Sequence, residues 1–310
     1  MMQDLYACSI LPVITKPDPQ NVVLLANALL NGGIYGMIVS IDSDSDIDAL
    51  REIHTHCPGM LAGATVGSAR QAEEAYRAGA CFLVLTQSQD SAIRFAGGNG
   101  VLLIPSCASA QELRATVEEG FSCVCCATAS EELLKTAAEL GIRLLLIAEE
   151  RPAWLEDLLA HPSILAAGGE WLIPQGIIAA SDFQGAARLA ETAVRGMLGL
   201  ELAHVGINQA SARSAAQAAT QICSLLALPY HKGKGSSFAG TIVEVMEPPF
   251  WGTVGHIALY TNCFERSLAY LERRGVRFNS GSIKYDEYGQ PVVIYTTDEI
   301  EGFVFHLLKK

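Results

Sequence analysis

Residues 10–199 alternate between short runs that are apolar throughout and longer runs with a helical apolar stripe. The apolar runs fall at 10–14, 37–41, 61–66, 82–85, 101–104, 122–127, 143–147 and 164–167. The helical runs fall at 21–30, 47–56, 70–78, 91–95, 110–119, 131–140, 153–159 and 182–199. Gly32-Gly33, Gly79, Gly120 and Gly141 follow helical runs, where glycine stops a helix most readily. A strand without a polar face must be covered on both sides, as in a parallel sheet flanked by helices. Eight strand–helix units therefore predict an α/β fold, a closed (β/α)8 TIM barrel over residues 1–200. A doubly wound open sheet is the alternative. No G-x-G-x-x-G follows the first strand, which disfavours that alternative and a nucleotide cofactor with it.

In such a barrel the working residues sit at the C-terminal ends of the strands. Those positions are Thr15, residues 40–42, Thr65, Thr86, Ser106, residues 125–128, 148–150 and 168–171. Four stretches carry a specific resemblance: Leu11-Pro12-Val13-Ile14, Gly32-Gly33, Gly63-Ala64-Thr65-Val66 and Gly168-Gly169-Glu170-Trp171-Leu172-Ile173-Pro174. On these, residues 5–200 resemble the class I aldolases of 2-keto-3-deoxy-6-phosphogluconate and 2-keto-4-hydroxyglutarate. The resemblance implies a Schiff-base lysine on the sixth strand, a general acid/base glutamate on the second and an arginine for the substrate carboxylate. It also implies glycine-rich turns after strands seven and eight that cradle a phosphate, and a trimeric assembly.

The chain departs from that pattern where the chemistry would be. The lysine position falls on Cys125, the glutamate position on Ile38 and the arginine position on Asp42. The glycines after strand seven become Glu149-Glu150, and Glu170 replaces the hydroxyl residue after Gly168-Gly169. Residues 1–200 hold only two lysines, Lys16 and Lys135, the first in a loop and the second on an outer helix. A Schiff-base lysine must be desolvated to lose its proton near neutrality, and neither position offers that. Asp42, Glu149, Glu150 and Glu170 give the mouth an acidic character that repels anionic substrates. The expected remnants of the substrate pocket are Thr65, Ser106, Cys125, Gly168 and Gly169. Cys123 and Cys125 read as small buried hydrophobes, because the neighbouring sequence supplies no base or cation to activate a thiol.

Beyond Gly199 the pattern changes. A strand at 201–208, a helix at 212–226, a loop-like Gly- and Lys-rich stretch at 231–237 and a strand at 240–246 precede Pro248-Pro249. The order then recurs: a strand at 255–261, a helix at 264–274 and strands at 276–285, 291–297 and 302–308. His204-Val205-Gly206-Ile207 and His256-Ile257-Ala258-Leu259 open the two halves alike, an internal βαβββ repeat. The predicted second domain, residues 201–310, is α+β, built of paired βαβββ modules whose first half is short by a strand.

This repeat resembles the vicinal oxygen chelate (glyoxalase-like) superfamily. The resemblance implies one divalent metal held by one residue from each of four strands, here His204, Glu244, His256 and His306. Imidazole and carboxylate suit Zn, Ni, Co, Fe or Mn. Strand alternation agrees, placing Glu244 inward with Ile242 and Met246 on its strand, and His306 inward with Val304 on its own.

A net charge of −12 excludes nucleic acid and anionic membranes as expected partners. No apolar run approaches the ~20 residues that span a bilayer. The nine cysteines, an odd number set mostly in apolar runs, read as reduced thiols of a cytoplasmic protein without a signal peptide. The expectation is an aldolase-like homotrimer without aldolase activity, with any chemistry at the metal site on a small oxo compound. Two alternatives stand beside it. One is a non-catalytic binding or regulatory partner of an active aldolase. The other is residual aldehyde-lyase activity that cleaves a 2-keto-4-hydroxy acid to pyruvate.

Overall fold

The computed structural model describes residues 1–86, 90–153, 155–247 and 249–310. The chain divides into two compact units, Met1–Met197 and Leu198–Lys310.

In the first unit, helix α1 (Met2–Cys8) precedes eight parallel strands: β1 (Ile10–Ile14), β2 (Gly36–Ser40), β3 (Leu61–Val66), β4 (Phe82–Leu85), β5 (Leu102–Pro105), β6 (Cys123–Cys126), β7 (Arg143–Ile147) and β8 (Ile164–Gly169). Between and after them run α2 (Val22–Asn31), α3 (Asp44–His56), α4 (Ala69–Arg77), α5 (Asp90–Asn99), α6 (Ala110–Glu118), α7 (Glu131–Leu140), α8 (Leu155–Ala160), the short α9 (Gln175–Ala179) and α10 (Phe183–Leu198). The strand order is β5-β4-β3-β2-β1-β8-β7-β6. A parallel bridge between Ser106 and Cys125 joins the two ends, and Cys107 N–H donates to the Cys125 carbonyl at 2.8 Å. The sheet thus closes as the expected barrel, with its shortest seam between β5 and β6.

Serine caps start several of these helices. The Ser68, Ser109 and Ser130 hydroxyls accept from the backbone N–H three residues on, satisfying donors the helix leaves unpaired. Helix α1 was not foreseen, because seven residues give too little periodicity to read. It plugs the N-terminal end of the barrel: Leu5 and Cys8 are buried with Leu11, Val13, Phe82, Cys123, Leu145 and Leu165. Gly63 makes room inside the barrel, where a Cβ would lie 2.3 Å from the Phe82 ring. The expected strand at 37–41 lies one residue earlier, at Gly36–Ser40. Trp154, within the helix expected at 153–159, lies outside the described residues, as does Pro248.

The second unit contains β9 (Glu201–Asn208), α11 (Ala212–Leu226), β10 (Tyr230–Lys232), β11 (Ser236–Ala239), β12 (Val243–Met246), β13 (Gly255–Thr261), α12 (Phe264–Arg273), β14 (Phe278–Tyr285), β15 (Pro291–Thr296) and β16 (Phe303–Lys309). Its single sheet runs β10-β11-β12-β9-β13-β16-β15-β14. Each half has the same course, with the first strand parallel to the last (β9 to β12, β13 to β16), and the halves meet antiparallel through β9 and β13.

Two expectations are corrected here. The stretch 231–237 is not a loop: β10 and β11 form an antiparallel hairpin through Gly233-Lys234-Gly235, so the first module lacks no strand. The strand expected at 240–246 begins only at Val243, since Gly240 turns at φ 60°. Ile242 consequently precedes the strand and is exposed rather than inward. Both helices cover one face of the sheet. Ala215 and Ala219 of α11 pack on Val245, and Phe264 of α12 packs on Ile294 and Leu307. Residues of opposite parity therefore point to the other face.

Candidate functional site

On that open face the four central strands bring three histidines together. His204 (β9), His256 (β13) and His306 (β16) each offer a ring nitrogen, and these nitrogens lie within 4.8 Å of one another. Register explains the convergence: His204 pairs with Ala258, and Ala258 pairs with His306, while His256 pairs with Gly206. The His256 ring occupies the space above Gly206, where a Cβ would lie 2.0 Å from Cε1 and 2.2 Å from Nε2. Glu244 of β12 lies against two of them. Its Oε2 lies 3.3 Å from His204 Nε2 and 3.2 Å from His256 Nε2.

The protons of this cluster conflict. His204 Nε2 and His256 Nε2 are 3.2 Å apart. If both carry hydrogens to donate to Glu244, two donors face each other. If one does not, the carboxylate loses a donor. A cation held by all three atoms removes the conflict, because each then presents a lone pair. The separations of 3.2, 3.2 and 3.3 Å also match the edge of a tetrahedron with bonds of about 2.0–2.1 Å, which is about 3.3 Å. Among the described residues, buried polar side-chain atoms without a hydrogen-bond partner include both ring nitrogens of His306 and Nδ1 of His256. Such atoms are costly unless something off the chain meets them. The donor set therefore fits a divalent transition metal.

Burial works against a charged Glu244. Hydrogen bonds from His204, His256 and Ser236, with the charge of His204, outweigh it and hold the carboxyl well below the usual carboxylate range. His306 is pushed down to about 3, first by burial and then by the charges of His256 and His204. Its imidazole is therefore neutral near pH 7, the form that binds metal. Burial, with the charge of Glu244, raises the Tyr295 phenol, and its ring stacks on His306 with centroids 4.3 Å apart. Sequence reading missed Tyr295; the signal was its place on β15 at the register position opposite His306. Glu247, three residues along the chain from Glu244, turns elsewhere: its carboxylate pairs with Lys232.

The barrel mouth is different. Thr65, Ser106 and Cys125 line one cleft of about 590 Å³, with Thr86, Cys107 and Cys126. The Thr65 and Ser40 hydroxyls are 3.2 Å apart, and the Ser106 hydroxyl donates to the Leu85 carbonyl. Cys125 is buried and its thiol is raised far above the ordinary value, chiefly by burial. Burial likewise pushes Cys123 and Cys126 up to about 12. Ile38 is fully buried in the barrel core. Lys16 and Lys135 are both exposed. Gly168 and Gly169 have a packing reason: a Cβ would lie 1.7 Å from the Leu11 carbonyl oxygen at the first and 2.1 Å from that of Ala148 at the second. Asp42, Glu149, Glu150 and Glu170 are exposed on the loops at this end, where Glu149 and Glu150 border a separate cleft with Arg151. No described helix is long and apolar enough to cross a membrane.

Comparison with known proteins bears on the first unit. Residues 2–189 match the family described as "Aldolase: KDPG and KHG aldolase". The 2-dehydro-3-deoxy-phosphogluconate aldolase of Treponema pallidum is 33% identical over 197 residues, covering 59% of this chain and 90% of that protein. The KHG/KDPG aldolase of Escherichia coli K12 is 29% identical over 201 residues, covering 60% and 91%. Among solved structures, the KDPG aldolase of Legionella pneumophila, with pyruvate captured as a covalent carbinolamine, superposes with a TM-score of 0.57. It is 23% identical and covers 62% of this chain and 97% of that one.

Proposed function

The chain belongs, over residues 2–189, to the KDPG and KHG aldolase family, and we propose that it is a member whose barrel no longer performs aldol chemistry. In this reading the chemistry belongs to the second unit, at a divalent-metal site formed by His204, Glu244, His256 and His306, and its substrate is a small oxo compound. The observation that carries the reading is the meeting of three imidazoles and one carboxylate whose protons conflict unless a cation is present. The resemblance of the repeated βαβββ modules to the vicinal oxygen chelate superfamily supports it.

A divalent metal bound there would supply a Lewis acid able to polarise a carbonyl and stabilise an enediolate. The chain's own residues do the rest. Neutral His306 presents a lone pair, Glu244 supplies one negative charge, and Tyr295 keeps its proton at neutral pH and can donate it to an oxygen that gains charge. At the barrel mouth the family's lysine position holds a buried thiol, and both lysines of residues 1–200 stand in water. Without a desolvated amine no Schiff base forms with a keto acid.

The test is metal content by mass spectrometry for the protein and for a His204→Ala, His256→Ala double variant. About one transition metal per chain, lost in the variant, is the expected result. Absence of metal from the wild type after reloading would overturn the reading. It would favour a binding or regulatory role beside an active aldolase, or residual lyase activity. A coupled assay for pyruvate release from a 2-keto-4-hydroxy acid separates those two.

A further inference from the structure

The barrel mouth keeps a cleft of about 590 Å³ that the proposed function leaves without a guest. Its polar wall is built at the strand ends, from Thr65 of β3, Thr86 just after β4 and Ser106 just after β5. Each of these hydroxyls gives its proton to the chain. Thr65 donates to the Ser40 hydroxyl at 3.2 Å, Thr86 to the Val66 carbonyl at 3.3 Å and Ser106 to the Leu85 carbonyl at 2.7 Å. A hydroxyl has one proton and two lone pairs, so these three have only acceptors left for a guest.

Charge points the same way. Among the described residues, the one charged side chain on this wall is Glu112, in the first turn of α6. Its Oε2 accepts from the Ala108 N–H at 2.8 Å, which holds the carboxylate in place beside the cleft. A second cleft, of about 580 Å³, shares Ala127 and Thr128 with the first and is bordered by Glu149 and Glu150. The cation on its wall, Arg151, is already paired with Glu156 at 2.6 Å.

Three classes of small guest can be compared against this wall. An anion would meet lone pairs and a carboxylate, with no cation to receive it. A neutral polyol would supply donors but leave the charge of Glu112 unanswered. An ammonium head brings three donors and one positive charge, and a methylene stem suits the apolar part of the wall at Val84 and Ile147.

We propose that the barrel mouth binds a linear aliphatic diamine. One ammonium head lies against Glu112 and the Thr65, Thr86 and Ser106 hydroxyls, and the other points past Ala127 and Thr128 toward Glu149 and Glu150. The cleft belongs wholly to the first unit, so the metal site of the second can fail without touching this reading.

Calorimetric titration of the full chain with 1,4-diaminobutane, 1,4-butanediol and succinate tests it. The expected result is about one diamine bound per chain, the diol at least about tenfold weaker and no heat from succinate. Glu112→Gln keeps an oxygen for Ala108 and should weaken the diamine about tenfold. Glu118→Gln, at the far end of α6, changes the net charge equally and should bind as wild type does. The His204→Ala, His256→Ala variant should also bind as wild type, which separates the cleft from a metal chelated by the amine. No diamine binding, a diol bound as tightly, or a Glu112→Gln variant no weaker than Glu118→Gln overturns the proposal. So does binding lost with the two histidines.

Discussion

Gly206→Ala is the sharpest perturbation of the candidate metal site, because it adds one methyl and removes no ligand. The new Cβ would sit 2.0 Å from His256 Cε1 and 2.2 Å from Nε2. Carbon atoms pack at about 3.5–4.0 Å, so the ring must retreat by roughly 1.5 Å. His256 has no exposed surface, so the retreat meets packed neighbours. Metal sites tolerate ligand errors of only about 0.2 Å. Loss of residues that merely orient a ligand weakens binding ~10–100-fold. Displacing the ligand itself should cost about 100-fold or more. At a metal concentration 100 times the wild-type Kd, binding stabilises the native protein by ~2.7 kcal/mol. With Kd raised 100-fold the same concentration gives only ~0.4 kcal/mol. The metal-induced rise in the unfolding midpoint of the second unit should then shrink from about 10 °C to about 2 °C. Competition with a chromophoric chelator gives the affinity directly. Gly206→Ala binding metal within threefold of wild type would refute the claim that the histidines converge on an ion through the space above Gly206.

Other consequences are as direct. Borohydride trapping with pyruvate should leave every lysine unmodified by mass spectrometry, and a pyruvyl adduct on Lys16 or any other would restore aldol chemistry to the barrel. His306→Leu should abolish metal uptake yet raise the unfolding free energy of the metal-free protein by about 1–3 kcal/mol, because it removes two buried nitrogens without partners; chemical denaturation in chelator reads it, and a destabilised variant counts against the orphaned-nitrogen argument. Cys123 and Cys126, pushed up to about 12 by burial, should resist alkylation at pH 8 in the native state and react on unfolding. Because their native values stand above the unfolded one, the stability they contribute is present below about pH 9 and lost as pH rises toward 12, at ~1.4 kcal/mol per pH unit per thiol. A flat stability profile between pH 9 and 11 would contradict that burial.

The barrel was legible because each strand is a short apolar run between glycine-stopped helices, a pattern that local chemistry fixes without tertiary detail. Helix α1 was not: its seven residues are held by Leu5 and Cys8 in the barrel floor, a contact that sequence spacing does not encode. The Gly233-Lys234-Gly235 run looked like a loop because β10 and β11 are three and four residues long and β10 is exposed throughout. In the second unit His204 and His256 repeat near strand openings, while His306 and Glu244 were named only through the resemblance to the vicinal oxygen chelate superfamily. Tyr295 could be named from neither, because it reaches the site through strand register.

If the barrel has lost aldol chemistry, as proposed, the surroundings of Cys125 show how it would still close. The β5–β6 seam is closed by the Ser106–Cys125 bridge and the Cys107 N–H to Cys125 carbonyl bond, both backbone contacts that any residue at 125 could make. The side chain has a narrower requirement. It is 7% exposed, beside Cys123 and Leu145 in the core cluster. A lysine there would need a carboxylate nearby or a lowered pKa, and Ile38, to which the aldolase resemblance assigns the glutamate, is buried in the same core cluster. Replacing both by apolar side chains removes two charges that a core tolerates only as a pair. Neither reversion alone should therefore restore a keto-acid adduct, and each alone should destabilise the barrel. Only Cys125→Lys combined with Ile38→Glu rebuilds a mutually compensated pair, and the acidic loops at Asp42, Glu149 and Glu150 would still disfavour a phosphorylated substrate.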